Sequence, residues 1–392
     1  MRAVELFAGA GGLGMGVSRA GFKPTAVIEW NQYCCDTLRE NQSAGLQPVA
    51  EWPLTQGDVR HFDFRDIQGE IALVSGGPPC QPFSLGGKHR GHLDDRDMFP
   101  QAIRAVRELQ PRAFIFENVK GLTRASFAGY LEYIRLGLGY PEITAKPGED
   151  WMRHLARLER YHTQGKHDGL CYNIVIRLLN AADYGIPQRR ERVFIVGFRA
   201  DLGIEWCFPE PTHAQDALLW SQWRTGDYWD LHKVASRRRP QGGKGKLRGQ
   251  SLTERPELEA WRTVRDAISD LPDPETQPTA ASKYPNHRFQ AGARGYPGHT
   301  GSPLDEPAKT LKAGDHGVPG GENMLLRPDG SVRYFTVRES ARLQTFPDEF
   351  LFHGSWTETM RQLGNAVPVK LAAIVAESVK SHLALTKAKT AG

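Results

Sequence analysis

No apolar run in this 392-residue chain approaches 18 residues, about the length a membrane-crossing helix needs, so no such helix is expected. The opening "MRAVELFAGAGG" runs straight into a strand-like segment and leaves no room for a signal peptide. Cysteine is scarce: there are five, an odd number without regular spacing, which argues against a disulfide framework. Cys34 and Cys35 are adjacent, too close for an ordinary disulfide. No CxxC pair is followed by a second pair or by histidines, so no zinc or other metal site is expected. A reducing, cytoplasmic compartment fits this usage. No charge dominates, with 50 Lys and Arg against 45 Asp and Glu and a net charge of +5. That balance is compatible with a polyanionic partner without demanding one. There is no internal repeat.

What is present is ordinary globular material, 40% hydrophobic and 24% charged. Short apolar runs alternate with helical patterns. "AVELFAG" (3–9), "TAVIEW" (25–30), "IALVSGG" (71–77), "AFIFENV" (113–119) and "RVFIVGF" (192–198) read as buried strands. "FPQAIRAVRELQP" carries Ile103, Val106 and Leu109 near helical spacing and stops at Pro111. The segment 148–169 predicts a helix with Trp151, Leu155 and Leu158 on one face, packing the core. Strands alternating with helices predict an α/β fold, Rossmann-like, with a predominantly parallel doubly wound sheet. Around residue 200 the texture shifts to Gly, Pro, Trp and His with few long periodic segments. Within it, "SRRRPQGGKGKLRG" (236–249) holds six basic residues and no acidic one. It is either a solvated loop or one that meets phosphates. Regular structure returns at 336, with a helical pattern until Pro347 and a closing amphipathic helix.

"GAGGLG" (9–14) satisfies G-x-G-x-x-G after a strand, and Glu29 follows twenty residues after Gly9. Read alone it suggests a dinucleotide site. Physically it says only that backbone approaches a ligand closely and that an acid ending the second strand can hold ribose hydroxyls. Trp30 offers an aromatic face to a purine, and Asp58 is placed to accept from an adenine amino group. Together they outline an adenosine pocket, and S-adenosylmethionine satisfies it as well as a nicotinamide cofactor does.

"VSGGPPCQPFS" (74–84) sets Cys80 directly behind two prolines at the exit of an apolar run. Prolines fix the backbone and remove amide donors, so the turn is stiff and the thiol is held. A thiol held in that way serves packing or chemistry.

"ELFAGAGGLGMG", "GGPPCQPFS", "FENV", "PQRRERVFIVGF" and "QLGNAVPV" occur in that order and closely resemble the ordered motifs of the DNA (cytosine-5)-methyltransferases. The resemblance covers roughly 1–200 and 336–375. It implies S-adenosyl-L-methionine as cofactor and a smaller, irregular target-recognition domain beside the catalytic one. The expected division is 1–200 catalytic and cofactor-binding, 201–330 target-recognition, and 331–392 a return that completes the catalytic domain. The resemblance assigns the thiolate nucleophile to Cys80 and places Glu117 at N3 and the exocyclic amine of the target cytosine. The family pattern Q-x-R-x-R matches Arg190 and Arg192, Arg190 toward the cytosine O2 side and the thiol, Arg192 ordering the site. The implied cofactor set is Phe7, Gly9, Gly11, Gly12, Leu13, Glu29, Trp30, Asp58, Val59, Pro79, Met98, Asn365 and Val367. DNA contacts are expected from Gln81, Ser84, Lys88, Arg90, Gln188 and Thr310, with 84–97 as a candidate lid.

By the same resemblance the substrate is double-stranded DNA, handled by a monomer that swings the cytosine out of the helix. The short layout resembles bacterial modification enzymes of restriction–modification systems, acting in the cytoplasm at the nucleoid, with a cognate endonuclease as a genetic partner. A branch of the family methylates cytosine in transfer RNA, but its members carry a short recognition region and commonly a threonine after the phenylalanine of the cysteine motif. Here that segment is "CQPFS". A nicotinamide- or flavin-dependent oxidoreductase would make Cys80, Glu117 and the arginines coincidental. A non-catalytic relative would usually lack the cysteine or the glutamate.

Overall fold

The computed structural model describes residues 1–79, 97–165, 168–240, 242–297, 300–313 and 323–389. The chain folds into two compact units: 1–178 with 192–209 and 372–392, and 179–191 with 210–371. The segments 179–191 and 331–371, expected in the catalytic domain, are grouped with the second unit.

The first unit is built on the strands β1 (Arg2–Leu6), β2 (Lys23–Glu29), β3 (Leu54–Gln56), β4 (Leu73–Gly76), β5 (Ala113–Val119), β6 (Tyr172–Asn180) and β7 (Glu191–Arg199). They form one sheet in the order β3-β2-β1-β4-β5-β7-β6. Every pairing from β3 through β5 is parallel, and β7 runs antiparallel to β5. This is the predominantly parallel, doubly wound α/β sheet that the alternating pattern predicts. Strands buried on both faces read as continuous apolar runs, as β4 and β5 do; β5 is buried from Ala113 to Asn118.

Helices α1 (Gly12–Arg19), α2 (Gln32–Ser43), α3 (Phe99–Leu109), α4 (Ala128–Gly139) and α5 (Trp151–Thr163) connect and cover the strands. Local chemistry sets their ends. Asn31 caps α2 by accepting from Cys34 N at 3.1 Å, and Asp150 caps α5 by accepting from Arg153 N at 2.9 Å. Pro100 stands in the first turn of α3, and the left-handed Gln110 ends that helix. The core gathers Val4, Leu6, Ile28, Val74, Phe99, Phe114, Phe116 and Leu158, with Trp151 and Leu155 partly buried against it. The closing helix joins this unit through Arg112 Nη2, which donates to Leu383 O at 3.0 Å.

The second unit holds short elements, as its Gly- and Pro-rich sequence predicts. Its helices α6 (Gln215–Trp220), α7 (Asp227–Leu231), α8 (Lys244–Ser251), α9 (Val264–Ile268), α10 (Pro278–Ala281), α11 (Val337–Leu343) and α12 (Trp356–Asn365) are none longer than ten residues. The basic stretch 236–249 is not simply a loop, since its second half enters α8. There Lys246 stands 5.6 Å from the Trp223 ring centroid, and Arg248 pairs with Asp216 at 2.7 Å. Helix α11 ends at Leu343, short of Pro347, because Thr345 takes a left-handed φ of 58°.

Candidate active site

The chain runs outward from β1 to β2 and β3, then returns to the other side of β1 to make β4 and β5. Strand order therefore reverses between β1 and β4, and open α/β sheets bind ligands beyond the carboxyl ends at such a switch point. Two segments leave there: the glycine loop after β1 and the double-proline turn after β4.

In the glycine loop, Phe7, Gly9 and Gly11 all have positive φ, at 54°, 55° and 87°. Gly11 is also the residue before α1, and a Cβ there would stand 2.9 Å from the buried Trp52 ring, so only glycine fits. Gly12 and Leu13 begin the helix and are buried. Glu29 ties this loop to the end of β2. Its Oε2 accepts from Gly9 N at 2.7 Å, and its Oε1 from Trp30 N at 2.9 Å and Asn31 N at 2.7 Å. Burial pushes the Glu29 carboxyl up, against the pull of those three donors. A carboxylate has about four acceptor positions, so one further donor, such as a ribose hydroxyl, can still be served.

Trp30, beside it, is 70% exposed, so its ring face is open to a ligand. Asp58 caps a turn and accepts from Arg60 Nε at 2.8 Å and Arg60 N at 2.9 Å. Arg60 holds its carboxyl below the usual range. Val59 is buried, and its carbonyl accepts from Arg104 at 2.6 Å. A Cβ at Gly9 would meet no described atom within 4 Å. An open loop, an exposed indole and a nearby carboxylate suit an adenosine-bearing ligand.

One residue here escapes sequence reading. Glu5 of β1 is 2% exposed and accepts from the Ser75 hydroxyl of β4. Burial pushes its carboxyl up to about 8, against hydrogen bonds from Ser75 and the Gly14 backbone. It joins β1, β4 and α1 directly beneath the glycine loop. An acid inside an apolar strand pattern is the only signal the sequence carries for it.

The double-proline turn is held from two sides. Asn118 Nδ2 donates to Pro78 O at 2.9 Å, and Met98 N donates to Pro79 O at 3.0 Å. Pro79 is exposed and Met98 partly buried. Cys80, Gln81, Ser84, Lys88 and Arg90, like all but the last residue of the expected lid 84–97, lie outside the described residues. Glu117 stands beside the turn: a Cβ at Gly77 would be 3.4 Å from its Oε2. Its Oε1 lies 2.9 Å from Arg192 Nε. Register explains this pair. Arg192 is opposite Val119, and Glu117, two residues earlier, shares that face. Burial lowers the Arg192 pKa, and Glu117 opposes the shift.

The structure divides the two arginines differently from the resemblance. Arg190, given the cytosine, is fully buried in the second unit. Its Nη1 donates to Leu311 O at 2.9 Å, and its Nη2 to Gly364 O at 2.6 Å and Ala366 O at 2.8 Å. Arg192 is the arginine that meets Glu117. Gln188, expected at DNA, is also fully buried. It donates to Leu343 O and Gln344 Oε1, both at 3.2 Å, and accepts from Leu311 N at 3.0 Å. Residues without accessible surface cannot meet a duplex in this conformation. Both lie just before β7, where chain direction, invisible in the motif, turns them inward. Thr310 is partly exposed, and its hydroxyl donates to Arg189 O at 2.7 Å. In "GNAVPV", Asn365 is exposed and Val367 buried. The glycine is required there because a Cβ at Gly364 would stand 2.2 Å from Ala313 N.

A model of the family described as C-5 cytosine-specific DNA methylase matches residues 1–135 and 158–381. The Type II methyltransferase M.PspPI of Psychrobacter sp. (strain TA137) is 32% identical over 387 residues, covering 96% of this chain and 78% of that protein. The Type II methyltransferase M.NgoMIV of Neisseria gonorrhoeae is 31% identical over 376 residues, covering 96% of each. The solved structure of a methyltransferase encoded within an E. coli prophage shares the fold, with a TM-score of 0.60 at 20% identity over 98% of this chain and 99% of that one. With the glycine loop and the double-proline turn at one switch point and a family match over most of its length, the chain belongs to the C-5 cytosine-specific DNA methylase family.

Proposed function

We propose that the chain is a site-specific DNA cytosine-5 methyltransferase of the restriction–modification type, using S-adenosyl-L-methionine. The observation that carries this reading is the Glu117–Arg192 pair beside the turn that leads into Cys80. Bound S-adenosylmethionine would supply an electrophilic methyl group. The open loop at Phe7–Leu13 would hold it with Glu29 at the ribose, Trp30 on the adenine face, and Asp58, Val59, Pro79 and Met98 completing the pocket.

Carbon 5 of cytosine is a poor nucleophile. The Cys80 thiolate adds to carbon 6, a carbon–sulfur bond forms, and the electron pair of the 5,6 double bond becomes available at carbon 5. Glu117 holds a proton at N3 and so favours that addition. Arg192 fixes the carboxylate and offers positive charge beside the ring. Carbon 5 would then take the methyl group, the cofactor leaving as its thioether, and loss of the carbon 5 proton to solvent water with expulsion of the Cys80 thiolate from carbon 6 restores the ring. A free thiol ionises near pH 8.5, so a cationic neighbour assists.

The target base must leave the duplex, at about a few kcal/mol. We assign target recognition to 201–330, with Thr310 at its closing edge and Gln81, Ser84, Lys88 and Arg90 toward the DNA. The enzyme acts as a monomer on double-stranded DNA in the bacterial cytoplasm, at the nucleoid, with a cognate endonuclease as its genetic partner. Transfer of labelled methyl to DNA and to transfer RNA, followed by base analysis, tests the substrate. Label in 5-methylcytosine of DNA supports the reading. Label confined to transfer RNA overturns the substrate, and no label in either overturns the activity.

A further inference from the structure

The family match is interrupted between residues 136 and 157, where the end of α4, a connecting stretch and the start of α5 lie. The extra chain is not an appendage. Trp151, at the first position of α5, meets Tyr130 edge-on with ring centroids 5.7 Å apart at 85°. It also meets Tyr133 at 5.9 Å. His154, one turn later, lies 3.1 Å from the Tyr133 hydroxyl through Nδ1 and 2.7 Å from Ile143 O through Nε2. Edge-on aromatic pairs fix ring orientation beyond what area burial does.

The ring so fixed has one polar end. The Tyr130 hydroxyl donates to Asp97 Oδ2, and Asp97 Oδ1 accepts from Phe99 N at 3.2 Å. The next residue, Met98, donates its N–H to Pro79 O at 3.0 Å, and that carbonyl immediately precedes Cys80. A continuous path therefore runs from the interrupted region to the peptide that carries the thiol: Trp151, Tyr130, Asp97, Met98, Pro79.

We propose that Tyr130 and Asp97, braced by Trp151, are positioning residues that set the Pro79 carbonyl, the last backbone acceptor before Cys80 in the sequence. This rests on the methyltransferase reading, in which thiol placement limits attack on the base. In this proposal the three act through the Pro79 carbonyl and not on the substrate itself. Their effect is geometric, and misplacement of reacting groups by about 1 Å costs up to on the order of a hundredfold in rate.

The test is single-turnover methyl transfer to DNA with preloaded S-adenosylmethionine, with cofactor affinity and melting temperature measured on the same preparations. Tyr130→Phe keeps the ring and removes the hydroxyl. It should slow transfer from the cofactor-saturated enzyme on the order of tenfold while leaving the fold intact. Asp97→Ala should give a similar loss, the two together no more than either alone, and Asp97→Asn, which keeps an acceptor, should recover most of the rate. Trp151→Leu should lose less than Tyr130→Phe and add nothing to it. Wild-type single-turnover rates in Tyr130→Phe, additive losses in the double variant, or no recovery in Asp97→Asn would overturn the positioning role alone. A wild-type protein that transfers no methyl group would overturn the methyltransferase reading and this proposal with it.

Discussion

Arg192 Nε stands 2.9 Å from Glu117 Oε1, with the two side chains 10% and 8% exposed, on antiparallel neighbours β7 and β5. Shielded from water, such a pair is far more sensitive to loss of one partner than a surface pair. Glu117 is therefore placed as a fixed acid rather than a solvated one. Glu117→Gln should lose on the order of 10²–10⁴ in turnover, and some stability too, because the buried Arg192 guanidinium keeps only a neutral partner. Arg192→Ala should lose turnover and also about 3–5 kcal/mol of stability, because it leaves the carboxylate buried without its cation. Steady-state kinetics beside chemical denaturation separates the two. Equal stability of Arg192→Ala and wild type would contradict the pairing.

Arg190 predicts the opposite balance. Its guanidinium serves the carbonyls of Leu311, Gly364 and Ala366, and each buried acceptor left without a donor costs about 1–3 kcal/mol. Arg190→Met should lower the melting temperature sharply, and any activity loss should follow the folded fraction. A stable Arg190→Met protein without activity would return Arg190 to the chemistry.

Much of this was legible in the sequence, and the exceptions share a cause. Strands β1, β2, β4, β5 and β7 are apolar runs, and helices α3 and α5 carry local spacing and end signals. Strand β6, Tyr172–Asn180, was not legible because it alternates weakly, with only Tyr172 and Leu179 well buried. The placement of Arg190, Arg192 and Gln188 depends on where β7 begins and on its antiparallel register with β5. Those are long-range facts that a motif of five residues does not encode. Likewise, the pairing of Glu5 with Ser75 joins strands far apart in sequence.

Glu29 and Trp30 are neighbours with different consequences. Glu29→Ala would leave the Gly9, Trp30 and Asn31 amides without their acceptor. It should lower stability by about 1–3 kcal/mol and weaken cofactor binding. Trp30→Ala removes an exposed ring, so stability should change by less than about 0.5 kcal/mol while cofactor affinity falls. Calorimetric titration with S-adenosylmethionine and thermal melts check both. Unchanged affinity in Trp30→Ala would remove the indole from the pocket.

The Glu5 carboxyl titrates at about 8 in the fold, against 4.5 in the open chain. Between those values the folded state keeps a proton that the unfolded state has released. Stability is therefore fully present below 4.5 and falls as pH rises toward 8, by at most about 1.4 kcal/mol per pH unit. Glu5→Gln keeps the shape and removes the titration. Relative to that variant, wild-type stability from urea denaturation should decline across this window. Parallel pH profiles would contradict the assignment.

In the basic stretch, Arg239 and Arg248 already pair with Asp230 and Asp216, whereas Arg237, Arg238 and Lys244 are exposed. Neutralising those three should weaken binding to all DNA sequences and reduce the salt slope by at most about 0.9 for each phosphate that is no longer neutralised. An unchanged slope would mark the segment as a solvated surface.

The most direct test of covalent cytosine methylation is single-base mapping of 5-methylcytosine. Unmethylated DNA of mixed sequence would be incubated with S-adenosylmethionine and wild-type protein, with Cys80→Ser as the control. The covalent assignment to Cys80 predicts methylation at one recurring short site with the wild type and none with the serine variant. Equal methylation by Cys80→Ser, or no 5-methylcytosine from a wild type that binds cofactor, would contradict it.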